Sequence, residues 1–153
     1  MVTFINEPVV KAEMLIRRPV QEVFDAFINP EITTKFWFTK SSGRLETGKT
    51  IRWDWEMYGV GDDILVKEIH DQKRILIESS YGGTTEWIFH ERGPDETYVS
   101  IINKGFTGSG DEMVSAAIDS MGGYTMVLCG LKALLEYNVI LNLVADKAPD
   151  AHV

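Results

Sequence analysis

The sequence predicts an α+β fold: a curved antiparallel sheet of six or seven strands wrapped around a long C-terminal helix, with two short helices after strand one. Three observations lead there. Between residues 9 and 103, apolar residues recur at every second position in short segments broken by glycine- and aspartate-bearing turns, the pattern of an antiparallel meander. From Tyr124 to about Val144 the spacing becomes helical, and a helix of that kind needs an apolar surface to lie on. The four tryptophans fall in segments that would face it, so the hollow between helix and sheet is expected to have aromatic walls.

Each element has its own signature. Residues 9–16 alternate, with Val10, Ala12, Met14 and Ile16 on one face. Pro19 suits a first helical position, and Val20, Val23, Phe24 and Phe27 then fall at helical spacing. Asn29-Pro30 ends this helix, and Pro30 begins a second that runs to about Phe36-Trp37. A short strand is expected between the turns Ser41-Ser42-Gly43 and Thr47-Gly48. Residues 50–58 read as a strand with Ile51, Trp53, Trp55 and Met57 on one face and Arg52, Asp54 and Glu56 on the other. After the turn Gly59-Val60-Gly61-Asp62, strands are predicted over 64–70, 74–80, 84–91 and 97–103. Residues 113–121 form a short helical segment, and Gly122-Gly123 bends the chain and brings the long helix close to the sheet. That helix carries its stripe on Tyr124, Val127, Leu128, Leu131, Leu134 and Leu135 and runs on through Leu143. Residues 147–153 read as a loose tail on one domain spanning 1–153, with its core in about 9–145.

Composition excludes several functions. With 15 basic and 23 acidic residues the net charge is −8, a sign that repels nucleic acid and anionic lipid. Lys132 and Glu136 interrupt the longest apolar run, so no uncharged stretch reaches the length of a membrane span. The N-terminal residues lack the basic and apolar regions of a signal peptide, and the lone Cys129 has no partner for an internal disulfide, so a cytoplasmic location is expected.

Three motifs resemble the SRPBCC superfamily, the helix-grip fold of START and birch-pollen-allergen-like domains. They are Ile16-Arg17-Arg18-Pro19-Val20-Gln21-Glu22-Val23-Phe24-Asp25-Ala26-Phe27 with Pro30-Glu31 and Trp37; Val66-Lys67-Glu68-Ile69-His70-Asp71 followed by Arg74-Ile75-Leu76-Ile77; and Asn103-Lys104-Gly105-Phe106 leading to Gly123-Tyr124 and the terminal helix. Within that superfamily the chain is most similar to the family homologous to the C-terminal domain of the heat-shock protein 90 ATPase activator. It departs from the family pattern at Tyr124, where a tryptophan is usual, and in its longer terminal helix. The resemblance implies the helix-grip architecture and a cavity.

Candidate site residues follow from the expected faces. Trp53, Trp55, Met57, Trp87 and Phe89 would share the concave face, Trp37 would close the mouth, and Phe106, Met121, Tyr124 and Leu128 would complete the wall. These rings either line a cavity for a hydrophobic or aromatic molecule or fill the space themselves. Asn103 ends an inward face behind Val99 and Ile101, so its amide bonds a ligand or nearby backbone. No catalytic set is legible. Asp54 and Glu56 sit opposite the tryptophans, the three histidines share no metal-ligand spacing, no dinucleotide fingerprint is present, and Cys129 reads as a small core residue. No metal and no cofactor is expected.

Three functions fit this picture. The first is non-enzymatic binding of a small hydrophobic molecule. The second is an enzyme of the polyketide cyclase or aromatase kind, for which Asn103, Glu86, Tyr58 and Tyr81 are the available groups. The third is a co-chaperone-like protein-interaction module. Residues 126–135 are apolar over more circumference than a sheet covers, so the N-terminal helices or a second subunit, as in a homodimer, are expected to bury the remainder.

Overall fold

The computed structural model describes residues 6–150. Seven antiparallel strands form one sheet in the order β1-β7-β6-β5-β4-β3-β2, and a 28-residue helix crosses its concave face. This is the α+β helix-grip arrangement. The strands are β1 (Val10–Ile16), β2 (Lys40–Ser41), β3 (Thr50–Trp55), β4 (Val60–His70), β5 (Arg74–Ser79), β6 (Thr84–Gly93) and β7 (Glu96–Lys104). The helices are α1 (Val20–Ile28), α2 (Pro30–Thr33), α3 (Gly110–Tyr137) and α4 (Leu143–Asp146). The last strand returns to pair with the first, Val10 opposite Asn103 and Ile16 opposite Thr97, so the sheet's two halves meet beneath α3. A β-bulge between Val66 and Glu68 increases the local twist and helps the sheet curl around the helix.

Alternation holds along the meander. Ile51, Trp53, Ile64, Val66, Ile75, Ile77, Trp87, Phe89, Val99 and Ile101 are all buried on the concave face. The convex face carries ion pairs instead: Arg52 with Asp54 and Asp63, Lys67 with Glu78, and Arg74 between Glu68 and Glu86. The tryptophans therefore turn inward and the charged partners outward. One continuous core results, closed at one end by α1, where Phe24 meets Phe89 and Phe27 meets Phe36 at ring distances of 5.2 and 5.5 Å.

Local structure corrects the sequence reading in several places. Strand β3 stops at Trp55, because Glu56–Tyr58 coil into a 3₁₀ turn closed by Gly59 in the left-handed region (φ 62°). Val60 to Asp62 belong to β4 instead of to the turn. The short strand lies at Lys40–Ser41, ahead of its expected place, where Lys40 and Ser41 pair with Asp54 and Trp53. Gly122-Gly123 does not bend the chain: α3 runs unbroken through both. Its start is fixed by the Ser109 hydroxyl accepting from the Glu112 N–H at 3.2 Å. The close approach belongs to Gly130, where a Cβ would lie 3.2 Å from Phe36 Cβ. The helix also ends sooner than expected, at Tyr137, with Asn138 left-handed (φ 54°) as its C-cap. Cys129 is half-buried. The predicted loose tail lies outside the described residues over 151–153. By length and composition α3 would suffice to cross a membrane, but its stretch from Val127 to Leu134 packs into the core.

Candidate functional site

The concave face of the sheet changes character along its strands. Toward α1 it is apolar apart from Thr97, whose buried hydroxyl donates to the Arg18 carbonyl at 2.9 Å. Toward the opposite end each strand continues its inward alternation with a polar residue: Asp62 before Ile64 and Val66, Ser79 after Ile75 and Ile77, Thr85 before Trp87 and Phe89, and Asn103 after Val99 and Ile101. Asp62 lies directly opposite Trp53, and directly opposed residues share a face, so its carboxylate is turned inward.

Those groups are bonded in two sets, one around Asn103 and one around Asp62. Asn103 donates from Nδ2 to the Thr84 carbonyl at 2.9 Å and to Thr85 Oγ1 at 3.1 Å, and its Oδ1 accepts from Ser120 of α3 at 2.6 Å. Thr85 Oγ1 in turn lies 3.0 Å from the Tyr124 hydroxyl. Asp62 accepts from Ser79 Oγ and Ser80 Oγ, both at 2.6 Å, and from the Ser80 N–H at 3.0 Å. Burial pushes the Tyr124 hydroxyl up to about 12, the Thr85 hydrogen bond opposes this, and the nearby Asp62 charge adds to it. Tyr124 is thus neutral at physiological pH, and its ring bridges α3 to the sheet.

Above this row the helix stands away from the sheet, leaving two adjoining compartments of about 420 and 410 Å³. Trp37, Trp55, Tyr124 and Asp119 line both. The first compartment is otherwise apolar in the main, with Val60, Met126, Val127, Val144 and Ala148 on its walls and Ser120 and Lys147 at its edge. The second carries the polar row together with Trp53, Phe106 and Tyr81. Trp37 is the hub of the aromatic wall, with ring centroids 4.9 Å from Trp53, 6.0 Å from Trp55, 5.8 Å from Tyr124 and 5.9 Å from Trp87.

The expected site residues divide cleanly. Trp37, Trp55 and Tyr124 face both compartments, while Trp53, Asn103 and Phe106 face the second. Trp87, Phe89 and Leu128 are packed in the core and line neither, because α1 and the second half of α3 close over them. Met57, turned aside by the 3₁₀ turn, lines a separate small pocket of about 80 Å³ beside Leu141 and Asn142. Met121 sits on the outer side of α3 at 43% exposure. Cavity and filled core therefore coexist: Trp87 fills, while Trp37 and Trp55 wall both compartments and the buried Trp53 borders the second.

Of the other groups weighed from the sequence, Glu86 is on the convex face with Arg74, and Tyr58 donates from its hydroxyl to the Val144 carbonyl. Tyr81 donates to the Gly61 carbonyl at 2.8 Å. Asp62, Ser79, Thr85 and Asp119 were not singled out. The signal for the first three was present, as a polar residue continuing an apolar alternation at the same end of neighbouring strands. Among the described residues no three His, Cys, Asp or Glu side chains form a group that could hold a metal. Among the described residues the buried indole N–H of Trp87 finds no partner.

Comparison with known proteins places these features in a family. No curated protein matches the chain by sequence. Among solved structures it is similar to protein SSP2350 from Staphylococcus saprophyticus, with 28% identity and a TM-score of 0.77 over 88% of this chain and 96% of that one. The Aha1 dimer from Colwellia psychrerythraea shares the fold at 18% identity and a TM-score of 0.71, covering 85% of this chain and 97% of that one. So does DynU16, a protein of the dynemicin biosynthetic locus, at 21% identity and a TM-score of 0.74, covering 86% of this chain but 48% of that one. The family described as Activator of Hsp90 ATPase homolog 1-like protein matches residues 17–136. That match takes in everything from the end of β1 to the last turn of α3, and the chain belongs to this family.

Proposed function

We propose that this protein binds a small hydrophobic or aromatic molecule between α3 and the open end of the sheet, without chemistry of its own. The observation that carries the reading is the pair of adjoining compartments, about 420 and 410 Å³, with Trp37, Trp55 and Tyr124 as their common wall. A ligand there gains area burial and about 1 kcal/mol for each ring it stacks on. The ligand-side candidates from the sequence are then narrowed to Trp37, Trp53, Trp55, Asn103, Phe106 and Tyr124. A cytoplasmic location and a single domain over 1–153 belong to this reading. Titration with a panel of lipophilic compounds, following tryptophan emission, tests it. A shift or quench saturating at micromolar concentration, lost in Trp55→Ala, is expected, and no response from any compound would overturn the reading.

Asp62 and Asp119 favour a second reading, because an enzyme of the cyclase kind needs ionisable groups in its cavity and these two line it. Turnover of an aromatic polyketide substrate that Asp62→Asn abolishes would move the function to that class. The family name supports a third, co-chaperone-like reading. Recovery of a chaperone by crosslinking, with Asp62 and Asp119 dispensable, would favour it.

A further inference from the structure

We propose that the ligand is an organic cation, an ammonium group carried on an apolar chain or ring, with its head against Trp37, Trp53, Trp55 and Asp62 and its body under α3. This rests on the reading of the hollow as a ligand cavity and names the class of molecule it takes.

The polar row of the sheet ends in a charge. Asp62 faces inward opposite Trp53, and its three donors come from serines. Those donors hold the carboxylate in place and leave its charge uncompensated. Asp119, on the facing wall formed by α3, lines both compartments, with no hydrogen bond or ion pair among the described residues. The ion pairs among the described residues all lie elsewhere, and no side chain in any of them lines either compartment. Two cations stand at the edges: Lys104, exposed at the end of β7, and Lys147, exposed beyond α4 with its ammonium over Gly122. Neither comes within 4 Å of a carboxylate oxygen of Asp62 or Asp119.

Two walls of the hollow thus carry negative charge, and the rings between them attract cations through their faces. Trp37 meets Trp53, Trp55 and Tyr124 at 59°, 65° and 63°, which builds an angled box, and Phe38 stacks on one face of Trp53 at 4.6 Å and 17° and backs that wall. Aromatic faces beside uncompensated carboxylates recognise an alkylated ammonium, whose charge is diffuse and whose surface is apolar. An anion would meet both carboxylates, and a neutral molecule would leave both unanswered. The first compartment, with Val60, Met126 and Val127, accommodates an apolar body attached to such a head. The net charge of −8 favours the approach of cations to the protein as a whole.

Three probes of equal chain length separate the possibilities: octyltrimethylammonium, octanol and octyl sulfate, each below its aggregation concentration. Binding to the full chain is followed by tryptophan emission and by calorimetry. The ammonium is expected to bind about tenfold tighter than octanol, with the sulfate weakest. Asp62→Asn and Asp119→Asn should each weaken the ammonium about fivefold and leave octanol unchanged. Asp119 is exposed and unbonded, so Asp119→Asn keeps its fold even if Asp62→Asn does not. Octanol equal to the ammonium, a preference for the sulfate, or unchanged ammonium affinity in Asp119→Asn would each overturn the cation assignment while leaving the cavity in place. Failure of all three probes to bind would overturn the cavity reading itself.

Discussion

Helix α3 meets the sheet in two ways along one length. From Val127 to Leu134 it presents Val127, Leu128, Gly130, Leu131 and Leu134 to the core, all buried, and Gly130 lets it lie against Phe36. From Asp111 to Met126 none of its residues is buried. The sheet beneath follows suit, apolar under the gripped half and polar under the raised half. A hollow made by poor packing would have apolar walls on every side. Here both walls turn polar at the same level, and the polar groups are bonded to one another across the gap, so the standoff is built into the sequence of both elements.

The largest test of this contrast is at the gripped end. Leu131→Ala removes a fully buried side chain from the half of α3 that lies against the core and β1, and should cost about 3 kcal/mol in urea unfolding with an unchanged slope. An equal loss from Met121→Ala, ten residues earlier on the raised half, would erase the distinction between the halves. Next in size is Glu136→Gln. Glu136 accepts from the Arg17 N–H at 3.0 Å and from Lys132 Nζ at 2.6 Å, while Lys132 also donates to the Leu15 carbonyl at 2.9 Å. This clasp ties the last turn of α3 to the end of β1. Burial pushes the Glu136 carboxyl up, but the Arg17 N–H and the Lys132 ammonium together outweigh it and hold it below the usual range. A carboxyl lowered on folding adds stability above its unfolded pKa and loses it as pH falls through the folded one. Glu136→Gln should therefore cost about 2 kcal/mol at neutral pH, with the gap to the parent chain closing below pH of about 4. A gap that stays constant into acid would show that the clasp is packing alone.

Much of the gripped end was legible beforehand, because burial enforces periodicity. Val20, Val23, Phe24 and Phe27 keep helical spacing, and Trp87 and Phe89 keep strand alternation, since any slip would turn them to water. The open end was harder to read. Alternation continues there through polar residues, so Asp62 and Thr85 look like strand ends or turn residues until the register shows which way they face. Asn103 stood out only because two apolar residues precede it on its own face. The 3₁₀ turn at Glu56–Tyr58 was hidden by an alternation that Met57 continues by coincidence, and Gly59 was the residue that mattered. Gly122-Gly123 misled in the other direction. A glycine pair costs a helix about 2 kcal/mol in propensity, which the flanking stretches absorb without a break.

Gly123 and Gly130 sharpen the contrast at smaller scale. A Cβ at Gly123 would meet nothing within 4 Å, since it opens on the first compartment, whereas one at Gly130 would press on the side chain and carbonyl of Phe36 at 3.2 and 3.4 Å. Gly123→Ala should gain about 0.5–1 kcal/mol from helix propensity, measured as a rise in the unfolding midpoint. Gly130→Ala should forfeit that gain or reverse it, because the Phe36 carbonyl belongs to a turn held by the Phe36 N–H bond to Thr33. Equal gains at both sites would mean that the helix is no closer to its neighbours in one half than in the other.

The smallest expected effect lies on the outer side of the raised half. Ile118 is 68% exposed and Met121 43%, so Ile118→Ser should change monomer stability by less than about 0.5 kcal/mol. That small number discriminates between two uses of this face. If the raised half serves only as the roof of a ligand cavity, the unfolding midpoint of the parent chain is independent of protein concentration, and Ile118→Ser leaves it so. If a second copy covers Ile118 and Met121, the parent midpoint rises with concentration, as mass action requires, and Ile118→Ser removes the dependence. In that case the helix would be held from outside by a partner, and the standoff from the sheet would be a property of the dimer.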